Sequence, residues 1–217
     1  MSQLILYQGV CGIVLATDSR AVRFTESGKR TYFNISKLYP LGATILIATL
    51  GAGHGHTLCR ALQQRIRQMR ITCGKDILDL AFPFLRDALQ VRRYDAGNQE
   101  TDPELQKLYF IIAGTITNHA DDPLGFVAYA SEYAADPLHS LSTGHFVCIP
   151  RQLSLETRLH QLPAKEVACE QVEAMCTNFL TRLADLSEDI GEPFVVSRIS
   201  PEGIHTRAVS GGAAMET

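Results

Sequence analysis

At 217 residues, 46% of them hydrophobic and 20% charged, the chain has the size and composition of a single soluble globular domain able to bury a substantial core. A formal charge of -3 provides no electrostatic basis for binding nucleic acid or an anionic membrane. No apolar run reaches membrane length, and the apolar start lacks a basic flank and is interrupted by Tyr7, Gln8 and Gly9; the expectation is a cytoplasmic protein without a signal peptide.

The chain opens with two apolar runs, residues 4–7 and 13–17, separated by Gln8-Gly9-Val10-Cys11-Gly12 and closed by Asp18-Ser19-Arg20. This pattern predicts a hairpin that carries the amino terminus into a site and brings a carboxylate alongside it. Residues 21–34 are polar and basic around a turn at 25–29, and residues 35–39 alternate as a half-buried strand does. Residues 43–50 form a β-prone run suited to burial on both faces, ending at Gly51-Ala52-Gly53.

Leu58, Leu62, Ile66 and Met69 then mark an amphipathic helix with arginines on its other side. A second helix is expected from Asp76, with Pro83 kinking it or shifting its start. Residues 94–105 read as an exposed loop, and residues 108–116 and 125–130 as a hairpin around a turn at 118–123. The segments 139–144 and 146–149 carry weaker strand signals. A long helix is expected from about Ala164 to Leu186, followed by strands at 194–200 and 204–209. The strand and helix order predicts an α+β fold, a four-layer αββα sandwich, in one domain spanning 1–209, with 210–217 as a flexible tail.

Six cysteines are scattered without a Cys-x-x-Cys pair and are expected to be reduced, mostly buried thiols. His54 and His56 alternate as metal ligands can, but no acidic or cysteine partner stands at matching spacing, so they read as helix-start histidines and no metal or other cofactor is expected.

The segment Gly12-Ile13-Val14-Leu15-Ala16-Thr17-Asp18-Ser19-Arg20-Ala21 resembles the signature of proteasome β-type subunits, which are N-terminal-nucleophile hydrolases. In that family the mature chain begins with a nucleophilic Thr and the Asp follows sixteen residues later; Ser2 to Asp18 is also sixteen residues. Ser36-Lys37-Leu38 is similar to the strand bearing the family's catalytic Lys, three residues late, and Gly51 falls at the place of its oxyanion-hole glycine.

The resemblance implies Ser2, Asp18 and Lys37 as catalytic residues and Gly51 as an oxyanion donor, with Met1 removed so that the Ser2 α-amine is the base. Thr143 is implied as a supporting hydroxyl. The family's downstream Asp-x-x-Ser-Gly corresponds here to Ser187-Glu188-Asp189-Ile190-Gly191, where Ser187 occupies the acidic place and Asp185 or Asp189 could serve instead. Each residue alone is commonplace; their shared spacing is what points to a site.

The implied activity is a self-compartmentalising threonine/serine-type endopeptidase, most similar in style to the betaproteobacterial proteasome homologue. The implied partners are further copies of the chain in stacked rings (a double heptamer), an ATP-dependent unfoldase, and peptide or unfolded-protein substrates. A catalytically inactive ring scaffold and a non-proteolytic amidase of the same fold are the alternatives.

Overall fold

The two opening runs pair as their pattern predicts. In a computed structural model, β1 (Leu4–Gly9) lies antiparallel to β2 (Gly12–Thr17), from Leu4 opposite Thr17 to Gly9 opposite Gly12, with Val10 and Cys11 as the turn. The structure describes residues 2–25, 28–96, 107–117, 123–133, 136–163 and 166–210, with backbone alone for 93–96. Among these residues the fold is α+β, with three sheets and four helices, and it divides into two compact units.

The first unit comprises Met1–Ser36, Gly144–Ile199 and Ile204–Thr217. Its five-stranded sheet runs β10–β1–β2–β11–β12, where β10 is Phe146–Ile149, β11 Phe194–Ser200 and β12 Gly203–Val209. Helices α3 (Leu153–His160) and α4 (Cys169–Leu186) cover one face. Ile5, Tyr7, Val14 and Ala16 point into that core against Val172, Cys176 and Leu180, while Leu4, Leu6, Ile13 and Leu15 on the opposite face have no exposed surface either. Burial on both faces is why these strands are almost continuously apolar. A separate two-stranded ribbon, β3 (Arg20–Phe24) with β4 (Arg30–Asn34), follows the hairpin.

The second unit comprises Lys37–Thr143 and Ser200–Gly203. It is an antiparallel meander of β5 (Leu38–Pro40), β6 (Ile45–Gly51), β7 (Leu108–Thr115), β8 (Leu124–Ser131) and β9 (His139–Leu141), in that order across the sheet. Helices α1 (His54–Met69) and α2 (Gly74–Ala96) pack Leu58, Leu62, Ile77 and Leu85 onto Ile45, Ile47, Phe110 and Ile112.

Several expectations are corrected. Helix α2 starts at Gly74 and runs through Pro83 to Ala96, so 94–96 are helical; its apolar stripe against the sheet offsets the bond that Pro83 removes. Helix α3 was not anticipated, because eight residues with Leu155 and Leu159 as the buried pair give too short a periodicity; α4 begins at Cys169. The 97–105 part of the loop, the turn residues 118–122 and the tail beyond Ser210 lie outside the described residues. Cys11 and Cys169 form a disulfide rather than two thiols. Packing α4 on β1 and β2 brings their Cα atoms to 5.6 Å despite 158 residues between them in sequence, a separation that hides the pair from sequence reading. Cys59, Cys148 and Cys176 are buried free thiols, and Cys73 is exposed. Burial is the first cause of the raised Cys148 pKa, about 12, and raises Cys59 and Cys176 too, so none is a thiolate near neutrality.

Among the described residues no helix is long and apolar enough to cross a membrane. Phe110 lies at the centre of the second unit's core with no exposed surface. Phe110→Ala is expected to cost about 3–5 kcal/mol in urea unfolding, whereas Leu186→Ala, at a residue 83% exposed, stays within about 0.5 kcal/mol.

Candidate active site

Of the residues singled out from sequence, Ser2, Asp18 and Ser187 belong to the first unit, and Lys37, Gly51 and Thr143 to the second. In the first unit the chain stays antiparallel past the end of β2, and this places Asp18 against residue 3. The Gln3 N–H donates to Asp18 Oδ1 at 2.8 Å and the Arg20 N–H to Oδ2 at 3.1 Å. Asp18 has no exposed surface. A carboxylate taken out of water is tolerable only when such charge-assisted bonds replace its hydration. The Thr17 hydroxyl donates to the Gln3 carbonyl at 2.9 Å, and the Gln3 side-chain amide donates to the Pro150 carbonyl at 3.0 Å. Half-buried Ser2 therefore follows directly from a residue held at its N–H, its carbonyl and its side chain.

The segment after α4 closes on the same region. The Ser19 N–H donates to the Gly191 carbonyl at 3.3 Å, and Arg20 Nη1 to the Glu188 carbonyl at 2.8 Å. Gly191 leaves room for Arg20: a Cβ there would stand 2.2 Å from both Cζ and Nε of Arg20, so a side chain would have to displace the far end of that arginine. Between these ties, Asp189 Oδ1 accepts from the Tyr32 hydroxyl at 3.3 Å and lies 3.7 Å from Arg30 Nη1. Its carboxyl is held below the ordinary carboxylate range by hydrogen bonding and nearby positive charge, Tyr32 and Arg30 among the partners, against the opposing effect of burial. The Ser187 hydroxyl accepts the Asp189 N–H at 3.3 Å, and Asp185 is exposed. Gln3, Tyr32 and Arg30 had no sequence signal, because their roles arise from backbone register and from the ribbon's lean over this segment.

In the second unit Lys37 is only 5% exposed. It precedes β5 instead of standing on the solvent face of an alternating strand, and its carbonyl accepts the Thr49 N–H at 3.0 Å. Two residues beyond Thr49, Gly51 ends β6 with φ at +93°, a conformation that favours glycine, and a Cβ there would stand 1.9 Å from the Lys107 carbonyl oxygen. The β5–β6 pairing thus puts Lys37 and Gly51 at one end of one strand pair. Thr143 is exposed beyond β9, at the opposite edge of this sheet.

His56 shares a hydrogen bond with the Tyr39 hydroxyl. Burial pushes Tyr39 up to about 12 and, ahead of Arg60, lowers His56, favouring its neutral ring. Among the described residues no group of three or more His, Cys, Asp or Glu side chains could hold a metal ion.

No protein-family model matches the chain, and no curated protein does. Solved structures do. A mutant Anbu from Hyphomicrobium sp. strain MC1 matches with a TM-score of 0.67 at 12% identity, over 99% of this chain and 89% of that one. The helical assembly of the Anbu complex from Pseudomonas aeruginosa gives 0.71 at 17%, over 98% and 88%. Anbu, an ancestral beta-subunit, from Yersinia bercovieri gives 0.68 at 12%, over 98% and 88%. The chain therefore shares the fold of these Anbu structures. The particular neighbours are Anbu proteins, a distinct proteasome-like family, which overturns the assignment to the proteasome β-type subunits and to the betaproteobacterial homologue. The cause is physical: the segment from Gly12 to Ala21 encodes the first hairpin and its exit, features that belong to the fold and do not separate its families.

Gly191→Ala is expected to displace the Arg20 guanidinium from the Glu188 carbonyl and to cost no more than about 1 kcal/mol in denaturant unfolding, the worth of that bond. Because the folded pKa of Asp189 is depressed, its contribution to stability is present above the ordinary carboxylate pKa and lost as pH falls through the folded value. Asp189→Asn should therefore lower stability at about pH 7 and flatten its decline toward about pH 3, read from midpoints across that range.

Proposed function

We propose that the chain is a self-associating N-terminal-nucleophile hydrolase that cleaves peptide bonds. After removal of Met1, the Ser2 hydroxyl attacks the substrate carbonyl carbon and passes its proton to the Ser2 α-amine, whose ordinary pKa of about 7.7–8.0 suits a base near neutrality. The Lys37 ammonium biases that amine toward its neutral form, Asp18 fixes the start of the chain and counters the Lys37 charge, and the Gly51 N–H donates to the oxyanion. Collapse of the tetrahedral adduct breaks the C–N bond, with the amine's proton going to the leaving group; water then hydrolyses the Ser2 ester. Thr143 and Ser187 are supporting polar groups in this reading.

The observation that carries it is the burial of two charged residues at the expected positions, Asp18 with no exposed surface and Lys37 at 5%. Surface aspartates and lysines need no such placement, and Lys and Asp are almost never fully buried unless paired.

The reading includes a four-layer αββα sandwich in one domain. Each five-stranded sheet has helices on one face, yet residues of the other face, such as Leu6 and Leu15 or Ala48 and Ile111, are buried as well. It also includes self-association, supported by the Pseudomonas Anbu, which is described as a helical assembly. Stacked rings served by a separate ATP-dependent unfoldase in the cytoplasm are the fuller form of the proposal.

The test starts from the mass of the purified protein. Loss of Met1, followed by a single β-lactone adduct mapped to Ser2, is the expected result. Ser2→Ala should abolish the adduct, and Lys37→Ala should slow its formation by about a hundredfold or more. Retention of Met1, or an unchanged adduct on Ser2→Ala, rules the mechanism out and leaves the inactive scaffold.

A further inference from the structure

Besides the bonds from Asp18 and Thr17, a second set reaches the residue after Ser2, and it comes from the start of α3 within the same unit. Gln3 has no exposed surface, and each of its polar groups has a partner. Its side-chain Nε2 donates to the Pro150 carbonyl at 3.0 Å and to the Leu4 carbonyl at 3.3 Å, and its Oε1 accepts from Gln152 Nε2 at 3.2 Å. The amide has one workable orientation here, since turning it over would set Oε1 against two carbonyl oxygens. Gln152 is the N-cap of α3, a position where Ser, Thr, Asp or Asn ordinarily bonds the first turn. Its side chain makes no such bond and goes to Gln3 instead. Glu156, only 8% exposed, secures the corner: Oε1 accepts the Gln152 N–H at 3.1 Å, and Oε2 accepts Arg151 Nη2 at 2.6 Å.

The two sets of bonds act in different directions. Those from Asp18 and Thr17 hold the Gln3 N–H and carbonyl across the hairpin, while a side chain in extended backbone stands roughly perpendicular to the sheet. Gln3 has the parity of Ile5 and Tyr7, whose side chains face the helices, and the start of α3 meets it from that side. We propose that Gln152 is a positioning residue for the reaction at Ser2: through the Gln3 side chain it sets the tilt of the residue next to the nucleophile, and so the approach of the Ser2 hydroxyl and amine to the substrate carbonyl. Ser2 is one planar peptide unit away from Gln3, and that rigidity passes the tilt on. A displacement of about 1 Å at a reacting group can cost about a hundredfold in rate. The inference rests on the Ser2 mechanism proposed above and adds a residue to it.

The test is the rate at which a β-lactone labels Ser2 of the full chain at saturating probe, followed by intact mass, in Gln152→Ala and Gln152→Glu. The second variant nearly keeps the shape of the side chain but replaces the donor that faces Gln3 Oε1 with an acceptor. Both should lower the limiting first-order rate constant about tenfold to a hundredfold and leave the half-saturating probe concentration unchanged. In Gln152→Ala the pH midpoint of the rate stays at the wild-type value while the plateau falls, because the Ser2 amine is moved and not retitrated. Lost stability alone lowers the fraction of protein that labels, not the rate constant of that fraction. Val172→Ala, which trims a fully buried side chain of α4, is therefore the control: it lowers stability and keeps the wild-type rate constant. Either Gln152 variant labelling at the wild-type rate constant, or Val172→Ala slowing as much as they do, overturns the positioning role while leaving the Ser2 mechanism standing. A wild-type chain that gains no adduct at Ser2 removes the mechanism itself, and the positioning role with it.

Discussion

A carboxylate with no exposed surface, Asp18, accepts the main-chain N–H of Gln3 on one oxygen and that of Arg20 on the other. The rest of the first unit depends on this clamp. Its two bonds join the residue after Ser2 to the residue that leaves the hairpin, so the end of β2 helps to position the start of β1. Arg20 continues the connection outward to the Glu188 carbonyl, its guanidinium lying over Gly191. Gln3, just ahead of β1, is thus fixed by an acid fifteen residues away in sequence.

The clamp works only if the register of β1 against β2 is unique. A one-residue slip would exchange Ile5 and Tyr7 with Leu4 and Leu6, and both sets are buried, so hydrophobic patterning discriminates weakly between the two registers. Polar bonds must therefore select the register. At the open end these are Thr17 and Asp18 on Gln3; at the turn it is the covalent link from Cys11 to Cys169. Strands this apolar are easily recognised in sequence and poorly specified by it; the hairpin draws its precision from its ends.

The same distinction explains what could be read from the residues. The hairpin, the strands of the second unit and helices α1 and α4 were legible because their periodicity extends over several turns or pairs. Helix α3 was too short to show a period. The alternation at residues 35–39 suggested a half-buried strand with Lys37 on its polar side, but the strand begins only at Leu38 and Lys37 is buried. The spacing from Ser2 to Asp18 was informative because strand pairing converts sequence separation directly into distance. Residues 185–191 obey no such rule. There the Gly191 match was readable, since Arg20 crowds that position, whereas the use of Asp189 depends on a ribbon whose lean over the segment has no sequence signature. The family-level misreading has the same root: the most legible motif encoded the most widely shared piece of structure.

Buried charge separates a working site from a merely inherited fold. Removing a carboxylate or an ammonium from water costs several kcal/mol, and even well-bonded ion pairs in protein interiors are often no more stabilising than apolar residues of the same volume. Asp18 repays its burial through the main-chain N–H groups of Gln3 and Arg20, so the fold itself has a use for it. Gly51 bears on the same point: its φ of +93° and its approach to Lys107 confine that position to glycine at the end of β6. Of the three positions, Lys37, only 5% exposed, is the one that packing alone does not favour. Such local conflict with foldability is expected where a protein does chemistry. The reaction proposed at Ser2 would give the Lys37 burial a reason.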